Sequence, residues 1–124
     1  MKIVLRHARA GERSEWEGDD RLRPLDEKGR RLALRLVGEL APLGVTRIVS
    51  SPYVRCTQTV EPLAAELGLP VETDDRLAEG ASRDAVDALL RETPPGSVLC
   101  THGDIVELIL GKPLKKGAFA VLDD

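Results

Sequence analysis

Short aliphatic runs alternate along this chain with stretches of helical periodicity, and that alternation narrows its possible folds more than any other feature. Residues 2–6, 45–50, 69–73, 97–100 and 118–122 are rich in Val, Ile, Leu or Ala and too short for stable helices. Between them, residues 26–43 place Leu32, Leu36, Val37 and Leu40 on one helical face, with Asp26 as N-cap and Pro42 and Gly44 marking the end. Residues 54–67 do the same with Val60, Leu63, Ala64 and Leu67, ended by Gly68, although Pro62 predicts a kink or a split there. Residues 82–92 and 104–110 supply two shorter helices, the first capped by Ser82. Strands that alternate with helices imply an α/β fold. The expectation is a three-layer α/β/α sandwich with a mostly parallel central sheet, built as one minimal domain over residues 1–124.

With one Trp, one Tyr and one Phe, aliphatic side chains must fill the core. The same scarcity leaves few rings on which a nucleic-acid strand could stack. A formal net charge of −3 supplies no global basic field, so neither nucleic acid nor an anionic membrane is expected as a partner. No signal-peptide stretch opens the chain, and no apolar run approaches the roughly 18–20 residues needed to cross a bilayer. A cytoplasmic protein, monomeric or weakly oligomeric, is expected. Cys56 and Cys100 make no disulfide framework and read as small buried thiols close to the site.

The chemistry gathers at the ends of the strand-like runs. The chain has two histidines, and each directly follows such a run: His7 after Arg6, and His102 after Thr101. Carboxyl ends of parallel strands open into the crevice where α/β proteins bind ligands, so residues far apart in sequence can meet there. Arg6 sets a permanent cation with a fork of donors beside His7. A third strand ends in Ser50-Ser51-Pro52, and Arg55 lies where the next helix begins, at the end of its dipole that attracts anions. Gly103, after His102, allows a tight turn and close approach of a ligand. Arg23, in the long polar stretch over residues 8–25, is placed to close over the same point.

Several guanidiniums and two imidazoles would make a pocket for phosphoryl transfer, whose transition state spreads negative charge over oxygens. In it His7 would attack phosphorus and become a phosphohistidine that water hydrolyses, with His102 holding the transferring group. The arginines compensate the charge, so neither metal nor cofactor is expected. Arg9, Arg13 and Arg21 are expected at the rim or in water, and Lys112, Lys115 and Lys116 in a solvated turn.

These segments carry a resemblance. Leu5-Arg6-His7-Ala8-Arg9-Ala10 resembles the opening motif of the histidine phosphatase superfamily, also called phosphoglycerate mutase-like. Asp20-Arg21-Leu22-Arg23-Pro24-Leu25-Asp26 with Gly29 is similar to the loop and helix start of its small branch, which contains the SixA-type phosphohistidine phosphatases. Ser50-Ser51-Pro52-Tyr53-Val54-Arg55-Cys56-Thr57-Gln58-Thr59 is similar to the segment supplying a second core arginine, and Thr101-His102-Gly103 to that of a second core histidine.

The resemblance implies a phosphoglycerate mutase-like fold. It also implies His7 as nucleophile, Arg6, Arg55 and His102 as the phosphate pocket, and Arg23 as a further phosphate contact. Arg76-Leu77-Ala78-Glu79 fits the family pattern that provides a general acid, which implies Glu79; Asp104, or no side chain at all, is the alternative. Ala8 departs from the glycine found in many members. The last strand also resembles that of phosphatase-like domains fused to Nudix hydrolases, though no Nudix segment occurs in these residues.

The substrate expected on this basis is a phosphorylated protein, above all phosphohistidine. A broad small-molecule phosphomonoesterase or a nucleotide-linked phosphatase is the alternative. A mutase and a non-catalytic phosphate-binding module are the rivals from other classes.

Overall fold

The computed structural model describes residues 1–123. Five strands form one sheet: β1 (Lys2–Arg6), β2 (Arg47–Ser50), β3 (Val71–Thr73), β4 (Ser97–Thr101) and β5 (Phe119–Leu122), in the order β3-β2-β4-β1-β5. The first four run parallel, and β5 closes the edge antiparallel to β1. Four helices connect them: α1 (Glu27–Leu40), α2 (Val54–Leu67), α3 (Arg83–Glu92) and α4 (Gly103–Leu110).

Alternation along the strands divides the core into two layers. Ile3, Leu5, Ile48, Val98 and Cys100 face α1 and α2, where they meet Leu36, Leu40, Val60 and Leu63. Val49 and Leu99 point the opposite way, toward Val86, Leu89 and Ile105 of α3 and α4. The sandwich expected from the alternating pattern is therefore the one observed.

Several element ends follow from identifiable side chains. The Asp26 carboxylate caps α1 by accepting from Gly29 N–H at 2.8 Å. Ser82 caps α3 by accepting from Ala85 N–H. Helix α2 passes through Pro62 as one element, without the expected split, and ends at Gly68 with φ 65°. The first helix is shorter than expected, because Ala41–Leu43 tighten into a 3₁₀ turn at Pro42.

The connection between β1 and α1 holds the site together. It contains two 3₁₀ turns, Arg13–Glu15 and Asp20–Leu22. Helix α2 anchors both of its ends. Thr59 Oγ1 accepts from Ala8 N–H at 3.0 Å, and Gln58 Oε1 accepts from Leu25 N–H at 2.9 Å. Among the described residues no helix is long and apolar enough to cross a membrane.

Candidate active site

Strand register brings the two histidines together. Parallel pairing sets Arg6 opposite Thr101, so the next residue of each strand lies just past the same sheet edge. His7 N–H donates to the Thr101 carbonyl at 3.0 Å, and the two rings stand edge to face with centroids 5.4 Å apart. The end of β2 joins them when Ser51 N–H donates to the Cys100 carbonyl at 2.9 Å.

A cavity of about 390 Å³ opens over this edge, and its walls include Arg6, His7, Arg23, Glu79, His102 and Gly103. Arg55 lies behind it, fully buried. The expected site residues thus occupy one place.

His7 is nearly buried, and its Nδ1 lies 2.7 Å from the Ala8 carbonyl. A carbonyl only accepts, so Nδ1 carries the hydrogen and Nε2 keeps its lone pair. Burial, joined by the charges of His102, Arg55 and Arg6, outweighs the Ala8 hydrogen bond and pushes the His7 pKa down to about 3. The imidazole is neutral at physiological pH.

His102 Nε2 lies 2.9 Å from Ser51 Oγ, which already accepts from Tyr53 N–H. With the Ser51 hydroxyl hydrogen directed at Nε2, the His102 hydrogen resides on Nδ1. Among the described residues, the buried side-chain nitrogen and oxygen atoms without a hydrogen-bond partner are His102 Nδ1, Arg6 Nε and Arg55 Nε. Buried polar atoms are rarely left unpaired, and these three all belong to one site. An anion rich in acceptor oxygens satisfies that arrangement.

The guanidiniums are held from behind. Arg6 Nη1 donates to the Leu114 carbonyl at 2.7 Å, and Arg23 Nη1 to the Ala10 carbonyl at 2.6 Å. Asp20 bridges two of them: Oδ1 accepts from Arg23 Nε at 2.9 Å and Oδ2 from Arg55 Nη2 at 3.0 Å. Burial opposes ionisation of Asp20. The Arg23 hydrogen bond and the Arg55, Arg23 and Arg13 charges nonetheless hold its carboxyl below the ordinary range.

Glu79 lines the cavity, accepts from Arg13 Nη2 at 2.7 Å and lies 3.7 Å from Arg55 Nη2. Asp104 is engaged differently, accepting from Gly80 N–H at 2.8 Å.

Some expectations change. Gly103 makes no left-handed turn: its φ is not positive, and it opens α4. A side chain at Gly103 would instead sit 3.1 Å from the Arg6 guanidinium, so the residue makes room for Arg6. Lys116 is exposed but forms part of the cavity wall rather than a detached turn. Gly117 N–H, donating to the Arg6 and His7 carbonyls, draws that segment in. Cys56 Sγ lies 3.6 Å from His102 Nε2, beneath the site as expected, and burial pushes the Cys100 thiol up. Asp20 and Ser51 join the site in the fold without any signal in the sequence that marks them. Among the described residues no group of three or more His, Cys, Asp or Glu is placed to hold a metal ion.

Known proteins resemble this chain in sequence and in fold. A family model described as the histidine phosphatase superfamily (branch 1) matches residues 3–83. An 8-oxo-(d)GTP phosphatase from Mycolicibacterium smegmatis is 41% identical over 110 residues, covering 84% of this chain and 34% of that protein. The chain spans about a third of the length of the curated relatives it matches. The protein histidine phosphatase SixA complexed with tungstate superposes with a TM-score of 0.77 at 22% identity, covering 95% of this chain and 84% of that one. A mycobacterial glucosyl-3-phosphoglycerate phosphatase complexed with VO3 gives 0.75 at 18% identity, covering 94% and 88%. At such identities the two structures speak for the fold alone.

Proposed function

The chain belongs to the histidine phosphatase superfamily, and on that premise we propose that it hydrolyses phosphoryl groups through a covalent phosphohistidine on His7. The observation that carries this reading is the pairing of a buried His7, whose Nδ1 is engaged by the Ala8 carbonyl, with three unpartnered buried nitrogens in the same site; burial holds the ring neutral. A nucleophile needs its lone pair, and a transferring phosphoryl group needs donors already in place.

In the first step His7 Nε2 attacks phosphorus and the bond from phosphorus to the leaving group breaks. Arg6, Arg23, Arg55 and the His102 Nδ1–H hold the non-bridging oxygens. Glu79 hands a proton to the departing atom. In the second step water attacks the phosphorus, Glu79 accepts its proton, and the phosphorus–nitrogen bond breaks to release inorganic phosphate and neutral His7. Asp104, which also lines the cavity and accepts from Gly80 N–H, is the alternative acid. The Ser51 hydroxyl sets the His102 tautomer, in the manner of an outer partner orienting a working imidazole.

Protein phosphohistidine suits a small, open site and is the substrate first expected. A nucleotide is a second reading, favoured by the 41% identity to a protein named for a nucleotide substrate. The test is catalytic efficiency on phosphohistidine peptides, nucleotides and sugar phosphates, for wild type and His7→Ala. The variant is expected to lose at least about 10²-fold on every substrate that wild type turns over. Equal turnover by both proteins would remove His7 from the mechanism.

A further inference from the structure

A second cavity, of about 240 Å³, abuts the first and shares Gly11, Glu12 and Arg23 with it. Its character is different. Trp16, Pro24 and Leu25 give it an apolar wall, and Glu12 and Glu15 line it as well. Trp16 is the only tryptophan in the chain, yet 38% of its surface is exposed. The indole N–H already donates to the Asp19 carbonyl at 2.9 Å. What Trp16 offers the groove is therefore ring surface. Glu12 and Glu15 have no side-chain hydrogen bond or ion pair among the described residues, whereas Asp26 nearby is occupied by Gly29, Gly11 and Arg9.

We propose that this groove is the subsite for the leaving group, and that its occupant is a guanine-type nucleobase of a nucleoside phosphate. This deepens the reading of the main cavity as a phosphate site and rests on it. The two cavities are complementary in sequence of chemistry: donors from arginine in one, then a shared wall, then an aromatic ring and two free carboxylates lining the other. A nucleotide has the matching order of anionic phosphate, sugar, and flat base. Stacking on one aromatic ring is available to any base. Carboxylates at the edge select a base that presents adjacent N–H donors, as the guanine N1–H and amino group do. The imidazole of a phosphohistidine, bonded directly to phosphorus, stays within the first cavity and leaves the groove empty.

Trp16 is also the reporter. Guanosine monophosphate, adenosine monophosphate, ribose 5-phosphate and inorganic phosphate are titrated into His7→Ala, which removes turnover, and tryptophan emission is followed. Guanosine monophosphate is expected to quench saturably and more tightly than adenosine monophosphate, with little effect from the other two. In the His7-intact protein, Trp16→Ala is expected to raise KM for guanosine monophosphate about tenfold while leaving KM for ribose 5-phosphate unchanged. Glu12→Gln with Glu15→Gln is expected to abolish the preference for guanine over adenine.

Quenching no stronger with guanosine monophosphate than with ribose 5-phosphate overturns the proposal, as does an equal KM shift for both substrates. If wild type hydrolyses no phosphoester, the phosphatase reading fails, and the fluorescence titration still decides the groove.

Discussion

Asp20 grips Arg55 with both its side chain and its backbone: Oδ2 lies 3.0 Å from Nη2, and the Asp20 carbonyl accepts from Nη1 at 2.8 Å. The Arg55 side chain is wholly buried, and Asp20 is its principal counter-charge. Breaking a buried pair by removing one partner typically costs ~3–5 kcal/mol, because a charge is left uncompensated. Asp20 is 30% exposed, so water softens that cost. Asp20→Ala is expected to destabilise the fold by about 1–3 kcal/mol in urea unfolding. It should also lower catalytic efficiency at least about tenfold by freeing Arg23 and Arg55. Asp20→Asn keeps one acceptor oxygen and turns an amide N–H₂ toward the other guanidinium, so it should recover only part of the activity. An alanine variant with wild-type kinetics would show that Asp20 positions nothing.

His7 makes a prediction about acid. Its folded pKa of about 3 lies below its ordinary value of 6.5, so between these limits the unfolded chain holds a proton that the folded protein lacks. Stability therefore rises with pH through that window and is lost as pH falls through it. At about 1.4 kcal/mol per unit, His7→Gln should lose about 3 kcal/mol less stability than wild type between roughly pH 6.5 and pH 4. Proton NMR is a direct check, since only two histidines contribute. One imidazole, assigned to His7 by the variant, should not titrate above pH 5; a midpoint near 6.5 would contradict the buried neutral ring.

Helix α1 presses on the chain that carries the nucleophile. A Cβ at Gly29 would lie 2.0 Å from the Arg9 carbonyl oxygen, a backbone atom that cannot swing aside. Gly29→Ala should therefore cost about 1–3 kcal/mol by overpacking and reduce turnover by displacing residues 8–11. Gly38→Ala, where a Cβ meets nothing within 4 Å, is the control and should leave both unchanged or slightly raise stability.

Much of this site was legible because strands announce their ends. His7, His102 and Arg55 each follow an apolar run, and parallel register does the rest. Asp20 was not legible. Its neighbour Asp19 has the same side chain and spends it on Arg21 at the surface, while Asp20 reaches Arg55, which is 35 residues away. Nothing local separates the two carboxylates. Ser51 lay inside a recognised segment, but its role depends on His102 arriving from β4. Pro62 does not split α2 for a related reason: α1 and the sheet pack against the helix and override a local breaker.

The account stands on a phosphorylated His7, and rapid acid-free trapping tests it most directly. Wild-type protein mixed with a ³²P-labelled substrate and denatured in alkali should carry label that is stable to base and released by acid. That label should map to the peptide containing His7 and be absent from His7→Ala. Turnover with no labelled protein at any time, or the same label on His7→Ala, would contradict the mechanism.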